Sequence, residues 1–307
     1  MSDSPEQDLV VAVATELAVD PSFVEKDWHA TQLIATVAAV TPDDLQPVFS
    51  GGTSLSKGYR LIRRFSEDVD FKVATPANGI GRGARSSYRA AIVRAIRSQK
   101  RWTLRDRAIL TGNENRFFRC DVEYSPNFAP SAPARARLRL EMTLHAPSLA
   151  PERRQLQSLI AEAQGQPPEI VGIACVTPAE TAADKLSALT WRILFGKREA
   201  EAHDGNLVRH LHDLAALEQH AADHREFPRL VAELIEFDTR RADAGAADAT
   251  LSPAESVAAL VRVLATDRAF RTQYREFVAA MCYGTGDETP EYESAVGAVA
   301  RLGRLLP

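Results

Sequence analysis

The segment GGTSLSKGYRLIRRFSEDVDF, residues 51–71, constrains this chain more than any other stretch. It opens on Gly51-Gly52, a pair that lets backbone approach another group closely. Leu55, Tyr59 and Ile62 then recur at helical spacing, so a helix is expected over 54–64. Val69, Phe71 and Val73 alternate with Asp68, Asp70 and Lys72, the period-two pattern of a strand. Two carboxylates two residues apart on a strand point to one face, and they repel each other unless a cation sits between them. A helix start offers unpaired N–H groups and the positive end of its dipole, which suits phosphate. The segment therefore joins a phosphate cradle at Gly52, Thr53 and Ser54 to a divalent-cation site at Asp68 and Asp70. Mg²⁺ is commonly held in this way, by carboxylates together with substrate phosphates.

The surrounding pattern changes character midway. Helices are expected at 8–18, 29–40 and 86–99, and strands at 102–111, 117–124 and 135–145, with a Pro/Gly loop at 75–83. After Pro151 strand signals mostly stop, apart from 170–176. Helical runs follow at 178–195, 204–221, 226–238, 253–264 and 267–282, with a small-residue linker at 240–252. This order implies an α+β fold in two domains, 1–175 with a mixed sheet and flanking helices and 176–307 as a helical bundle that completes the active site.

Composition excludes several classes. Hydrophobic residues make up 45% and charged residues 25%, globular rather than disordered values. Cys120, Cys175 and Cys282 lie far apart with no CxxC, which argues against a structural zinc site or a disulfide framework and fits a reducing cytoplasm. The N-terminal stretch has no signal-peptide pattern and no membrane span is visible. Net charge is −4, yet Arg82 to Arg107 holds nine Lys or Arg against Asp106 alone. That stretch is read either as a solvated helix face or as an RNA-backbone contact, with Tyr88 and Trp102 either stacking bases or packing in the core.

The 51–71 segment resembles motif I of the DNA polymerase β-like nucleotidyltransferases, and more closely that of the AbiEii/AbiGii toxin family, which includes the MenT toxins. Val24-Glu25-Lys26-Asp27-Trp28 is similar to that family's VEKDYW segment. Lys185-Leu186-Ser187-Ala188-Leu189 with Arg192 resembles its K-L-x-A-L-x-x-R motif, and Arg209 to Leu214 resembles its R-x-H-x-x-D-L segment. The resemblance spans residues 23–215. It implies transfer of a nucleotide from an NTP, with Mg²⁺ or Mn²⁺, to RNA, at the tRNA 3′ end, by a cytoplasmic toxin paired with a separately encoded antitoxin. The acceptor could instead be a protein or a small molecule, and a degenerate nucleotide-binding module is the non-enzymatic alternative.

Roles follow from the resemblance. Asp68, Asp70, Lys185, Asp213 and Glu141 are the expected catalytic set, with Asp68, Asp70 and Glu141 on metal. Asp121 or Glu123 is the alternative to Glu141. Gly52, Thr53, Ser54, Lys57, Ser66 and Arg192 are the expected nucleotide contacts. Lys185 and Arg192, seven apart, share a helix face. Asp213 would orient one of them, or serve as a structural ion pair, while His210 is as readily a packing residue. The family's antitoxin kinases also make Ser66 a candidate for phosphorylation, which would put about two negative charges beside the metal ligands. Replacing Ser66 with Glu is accordingly expected to lower nucleotide transfer, and a Ser66→Glu protein with undiminished activity in a labelled-NTP assay would refute that role.

Overall fold

In the computed structural model of the protein, residues 3–42, 45–66, 68–76, 79–129, 136–195, 206–241, 251–284 and 286–307 are described. The chain forms two compact units: residues 1–60 with 65–176, and residues 61–64 with 177–307.

The first unit is built on one seven-stranded sheet. Its strands are β1 (Gln46–Ser50), β2 (Asp68–Ala74), β3 (Ile109–Gly112), β4 (Phe117–Glu123), β5 (Arg137–Thr143), β6 (Glu152–Leu156) and β7 (Ile170–Cys175), in the order β3-β4-β5-β2-β1-β7-β6. β2 runs parallel to β5 and β1 parallel to β7, and the other neighbours are antiparallel. Helices α1 (Gln7–Leu17), α2 (Pro21–Ala38), α3 (Gly51–Lys57), α4 (Arg82–Arg97) and α5 (Leu159–Ala163) complete it. α2 begins at Pro21 because Asp20 accepts from the Ser22 N–H and proline suits the first helical turn.

Alternation separates the faces of the sheet. Val69, Phe71 and Val73 of β2, Leu138, Leu140 and Met142 of β5, and Phe118, Cys120 and Val122 of β4 are all buried. They pack with Leu33, Ile34 and Val37 of α2 and with Tyr88, Ile92 and Ile96 of α4 into one core. The other side chains of β2, β4 and β5 are charged or polar almost throughout and half-buried, so these strands keep a polar face.

The second unit is helical: α6 (Pro178–Leu194), α7 (Asn206–Ala222), α8 (Phe227–Arg241), α9 (Pro253–Thr266), α10 (Arg268–Met281) and α11 (Tyr292–Gly303). α6 packs on α7 and α8, and α11 on α7 and α9. Thr177 caps α6 by accepting from the Glu180 N–H, and Ser252 with Glu255 forms a full capping box on α9. No helix among the described residues is long and apolar enough to cross a membrane.

Several elements differ from the sequence reading, the short helix α5 among them. The helix expected over 54–64 runs instead from Gly51 to Lys57: the N–H groups of Gly58 and Tyr59 both fall back on the Ser54 carbonyl, and Arg60 then adopts a left-handed φ of 55°. β6 was not anticipated, since this edge strand reads Glu152-Arg153-Arg154 and buries only Leu156. The expected strand 102–111 reduces to β3, and α11 is additional. Of the linker 240–252, residues 242–250 lie outside the described residues.

Burial in the core contradicts base stacking by Tyr88 of α4 and by Trp102 beyond its end, which are 1% and 7% exposed. Several cations of the stretch are tied within the unit. Arg89 donates to Asn115 at 2.6 Å, Arg97 to the Leu104 carbonyl at 3.1 Å, and Arg105 pairs with Glu123 at 3.3 Å. Ile92→Ala should therefore cost about 2–5 kcal/mol by urea denaturation, and Arg94→Ala, on the exposed face, about 0.5 kcal/mol or less. Equal effects of the two substitutions would be incompatible with this packing.

Candidate active site

Strand register assembles the site of the first unit. Asp70 of β2 stands opposite Ser50 of β1 on one side and opposite Glu141 of β5 on the other. Asp68 stands opposite Arg139, and Arg139 in turn opposite Asp121 of β4. All of these belong to the polar face. Glu141 is thus the carboxylate beside Asp70 on the neighbouring strand. Asp121 lies one strand further away and is held by Arg137 at 2.6 Å and Arg139 at 3.0 Å. Arg139 is kept cationic by that hydrogen bond first, with Asp68 and Glu141 adding attraction. Arg119 approaches Glu141 at 3.9 Å.

The turn between β1 and α3 is shaped by Asp70. Gly51 has φ +74°, a conformation that side chains rarely adopt. A Cβ built on it would lie 2.0 Å from Asp70 Oδ2. The carboxylate therefore occupies the space that any other residue at 51 would fill. Thr53 secures the same junction from the helix side, its hydroxyl donating to the Asp68 carbonyl. Ser54 is fully buried, and its hydroxyl faces the Cys175 thiol as a hydrogen-bond neighbour.

Other expected contacts stand differently. Lys57 forms a nearly buried ion pair with Asp27 at 2.6 Å and donates to the Gln157 carbonyl at 3.0 Å. Asp27 also accepts from the Leu159 N–H, so the VEKDW segment anchors α2 to α3 and α5. Glu25, 0% exposed, accepts from the backbone of Asn127 and Phe128. These residues act as internal struts. Ser66 is half-buried in the non-helical approach to β2.

Among the described residues, no three His, Cys, Asp or Glu side chains form a ready-made metal cage. The donors still fit Mg²⁺ or Mn²⁺: hard carboxylate oxygens of Asp68 and Asp70 on one strand face, with Glu141 adjacent, are the usual partial set that substrate phosphates complete.

In the second unit Asp213 of α7 is completely buried. Lys185 of α6 reaches its Oδ2 at 2.8 Å, and Arg64 donates through Nε to Oδ1 and through Nη2 to Oδ2, both at 2.7 Å. Burial alone would raise the Asp213 carboxyl, but Arg64 and Lys185 overcome it and hold the group well below the usual carboxylate range. Removing one partner from a buried pair of this kind costs about 3–5 kcal/mol. His210 is kept neutral by burial and by Lys185 and Arg192. His212 bridges Asp213, at 3.3 Å, to the Cys282 thiol, at 3.6 Å. Burial pushes that thiol up to about 12, so it is no nucleophile. Arg64 was missed by the sequence reading, because nothing in local spacing links it to a carboxylate 149 residues away.

The fold is that of a nucleotidyltransferase. MenT4, a nucleotidyltransferase toxin from Mycobacterium tuberculosis H37Rv, superposes with a TM-score of 0.52 over 97% of this chain and 98% of its own, at 18% identity. The family model of the nucleotidyl transferase AbiEii toxin of type IV toxin–antitoxin systems matches residues 32–298, and the chain belongs to that family. The chain matches no curated protein.

The Gly51–Asp70 approach yields a direct test. Gly51→Ala should lower stability by about 1–3 kcal/mol through its positive φ and displace the Asp70 carboxylate, reducing transfer by about 100-fold. A thermal melt and a labelled-NTP assay read the two effects, and unchanged activity would show that the carboxylate does not need this seat.

Proposed function

We propose that this toxin transfers a nucleotide from an NTP to the 3′ end of tRNA in the cytoplasm, and so blocks translation until a separately encoded antitoxin restrains it. The observation that carries this reading is the seat of Asp70. One carboxylate is packed onto the Gly51 turn, aligned with Glu141 on the next strand and with Asp68 two residues before it on the same face.

Asp68 and Asp70 are the residues assigned to a divalent metal, Mg²⁺ or Mn²⁺. When bound, the metal supplies charge stabilisation to the phosphates and to the developing alkoxide. Gly52, Thr53 and Ser54 are assigned to phosphate contacts, supported by their place at the start of α3, next to the Gly51 turn and Asp70. Lys185 and Arg192 are assigned to NTP phosphates from their motif. Lys57 is left out, because Asp27 holds it. The acceptor hydroxyl attacks the α-phosphorus. A new P–O bond forms, the bond to the β-phosphate oxygen breaks, and pyrophosphate leaves. Glu141, the strand neighbour of Asp70, is assigned to taking the hydroxyl proton. Most of the acceleration would come from positioning and charge complementarity, as in phosphoryl transfer generally. Exposed Arg94 and Lys100 are candidates for contacts with an RNA backbone.

Purified protein should be incubated with total tRNA, Mg²⁺ and each α-labelled NTP separately, beside Asp70→Ala. Label in tRNA with the wild type alone is expected. Label in protein would move the acceptor while keeping the chemistry, and NTP binding with no transfer to any acceptor would overturn the reading in favour of a binding module.

A further inference from the structure

Arg64 has no role in the reaction as set out above, yet few side chains of the second unit are as tightly placed. Its guanidinium grips Asp213 at two points, and the two side chains are 3% and 0% exposed. Its own backbone is fixed as well. Arg64 pairs with Cys282 in an isolated β-bridge, and the Tyr283 N–H donates to the neighbouring Arg63 carbonyl at 3.0 Å. The Phe277 ring lies 5.9 Å from the guanidinium carbon. A two-point fork of this kind fixes the plane of a carboxylate, which a single ammonium cannot do.

Lys185 reads that fixed carboxylate. It meets Asp213 at Oδ2, the oxygen that also receives Arg64 Nη2. Two cations thus share one anion. If Arg64 were removed, Asp213 and Lys185 would form a one-to-one buried pair, and the ammonium would be drawn onto the only carboxylate in that pair. With Arg64 present, the charge of Asp213 is met by the fork, and Lys185 keeps attraction for a second anion. Lysine is a flexible point charge on a long stem, so its value to a phosphate depends on where it is held.

We propose that Arg64 is a positioning residue of nucleotide transfer: by clamping Asp213 it sets the place of Lys185 and leaves the lysine charge available to NTP phosphates. This rests on the assignment of Lys185 to those phosphates. A purely structural clamp is the competing account, in which loss of Arg64 changes stability and not the handling of NTP.

The decisive experiment measures the NTP dissociation constant by calorimetry in Mg²⁺, with transfer kinetics to whichever acceptor the wild type uses, for full-length wild type, Arg64→Lys and Lys185→Ala. Arg64→Lys keeps the charge and loses the fork. It is expected to melt cooperatively, to bind NTP about tenfold more weakly and to lose about 100-fold in kcat/KM. An Arg64→Gly protein should recover at least about tenfold in rate when millimolar guanidinium chloride, and not equal sodium chloride, refills the position. A folded Arg64→Lys protein with wild-type NTP affinity and kcat/KM, beside an impaired Lys185→Ala, would overturn the role of Arg64 alone. Lys185→Ala with wild-type affinity and rate would overturn the phosphate assignment and this inference with it. Should Arg64→Lys fail to fold, Arg64→Gly decides: soluble protein that guanidinium leaves inactive counts against the proposal, and selective rescue supports it.

Discussion

A carboxylate that fills the space of a missing Cβ is the constraint around which the first unit is arranged. Asp70 lies where Gly51 has none, and this close approach is possible only because β1 and β2 are antiparallel neighbours with Ser50 opposite Asp70. The same register brings Asp68 back beside α3, where Thr53 holds its carbonyl. The apolar alternation of β2 presses the opposite face onto α2 and α4. A one-residue slip of β2 would bury both aspartates and expose Val69, Phe71 and Val73, so the core and the site enforce one register together.

The two units solve the problem of charge differently. On the polar sheet face Asp68, Asp70, Glu141 and Arg139 remain half-buried, so that the groups stay partly hydrated and can exchange water for a ligand. In the helical unit Asp213 is wholly buried, and its ionisation is sustained by Arg64 and Lys185 against the cost of desolvation. A hydrated face suits groups that must take up metal and phosphate. A dry cluster suits groups whose geometry has to be held.

The shared strand face of Asp68 and Asp70 was legible because it is local. Period two puts Asp68 and Asp70 on one face whatever the rest of the chain does, and the strand of Glu141 was visible from its own alternation. What local pattern cannot carry is pairing. That Glu141, and not Asp121, stands beside Asp70 depends on β5 lying between β2 and β4. The Arg64–Asp213 contact spans 149 residues and left no trace in spacing. Pattern also misled: Leu55, Tyr59 and Ile62 have helical spacing, yet the helix ends at Lys57, and Ile62 is buried from a non-helical segment. β6 escaped notice for the opposite reason, because an edge strand needs little apolar alternation.

The two buried lysine–aspartate pairs show why residue type alone does not assign a role. Lys57 and Lys185 are both nearly buried, and both meet a carboxylate at 2.6–2.8 Å. Asp27 gives its second oxygen to a backbone N–H, so among the described residues its full cation is Lys57, and the lysine also serves the Gln157 carbonyl. Asp213 accepts two bonds from Arg64 in addition to its contact with Lys185. In the first case the ammonium is the counter-ion that the carboxylate requires. In the second the carboxylate is also held by arginine through two hydrogen bonds, so it does not depend on the lysine alone. A buried lysine is an internal strut when it balances its partner, and a candidate for recognising an external anion when another cation has done so first.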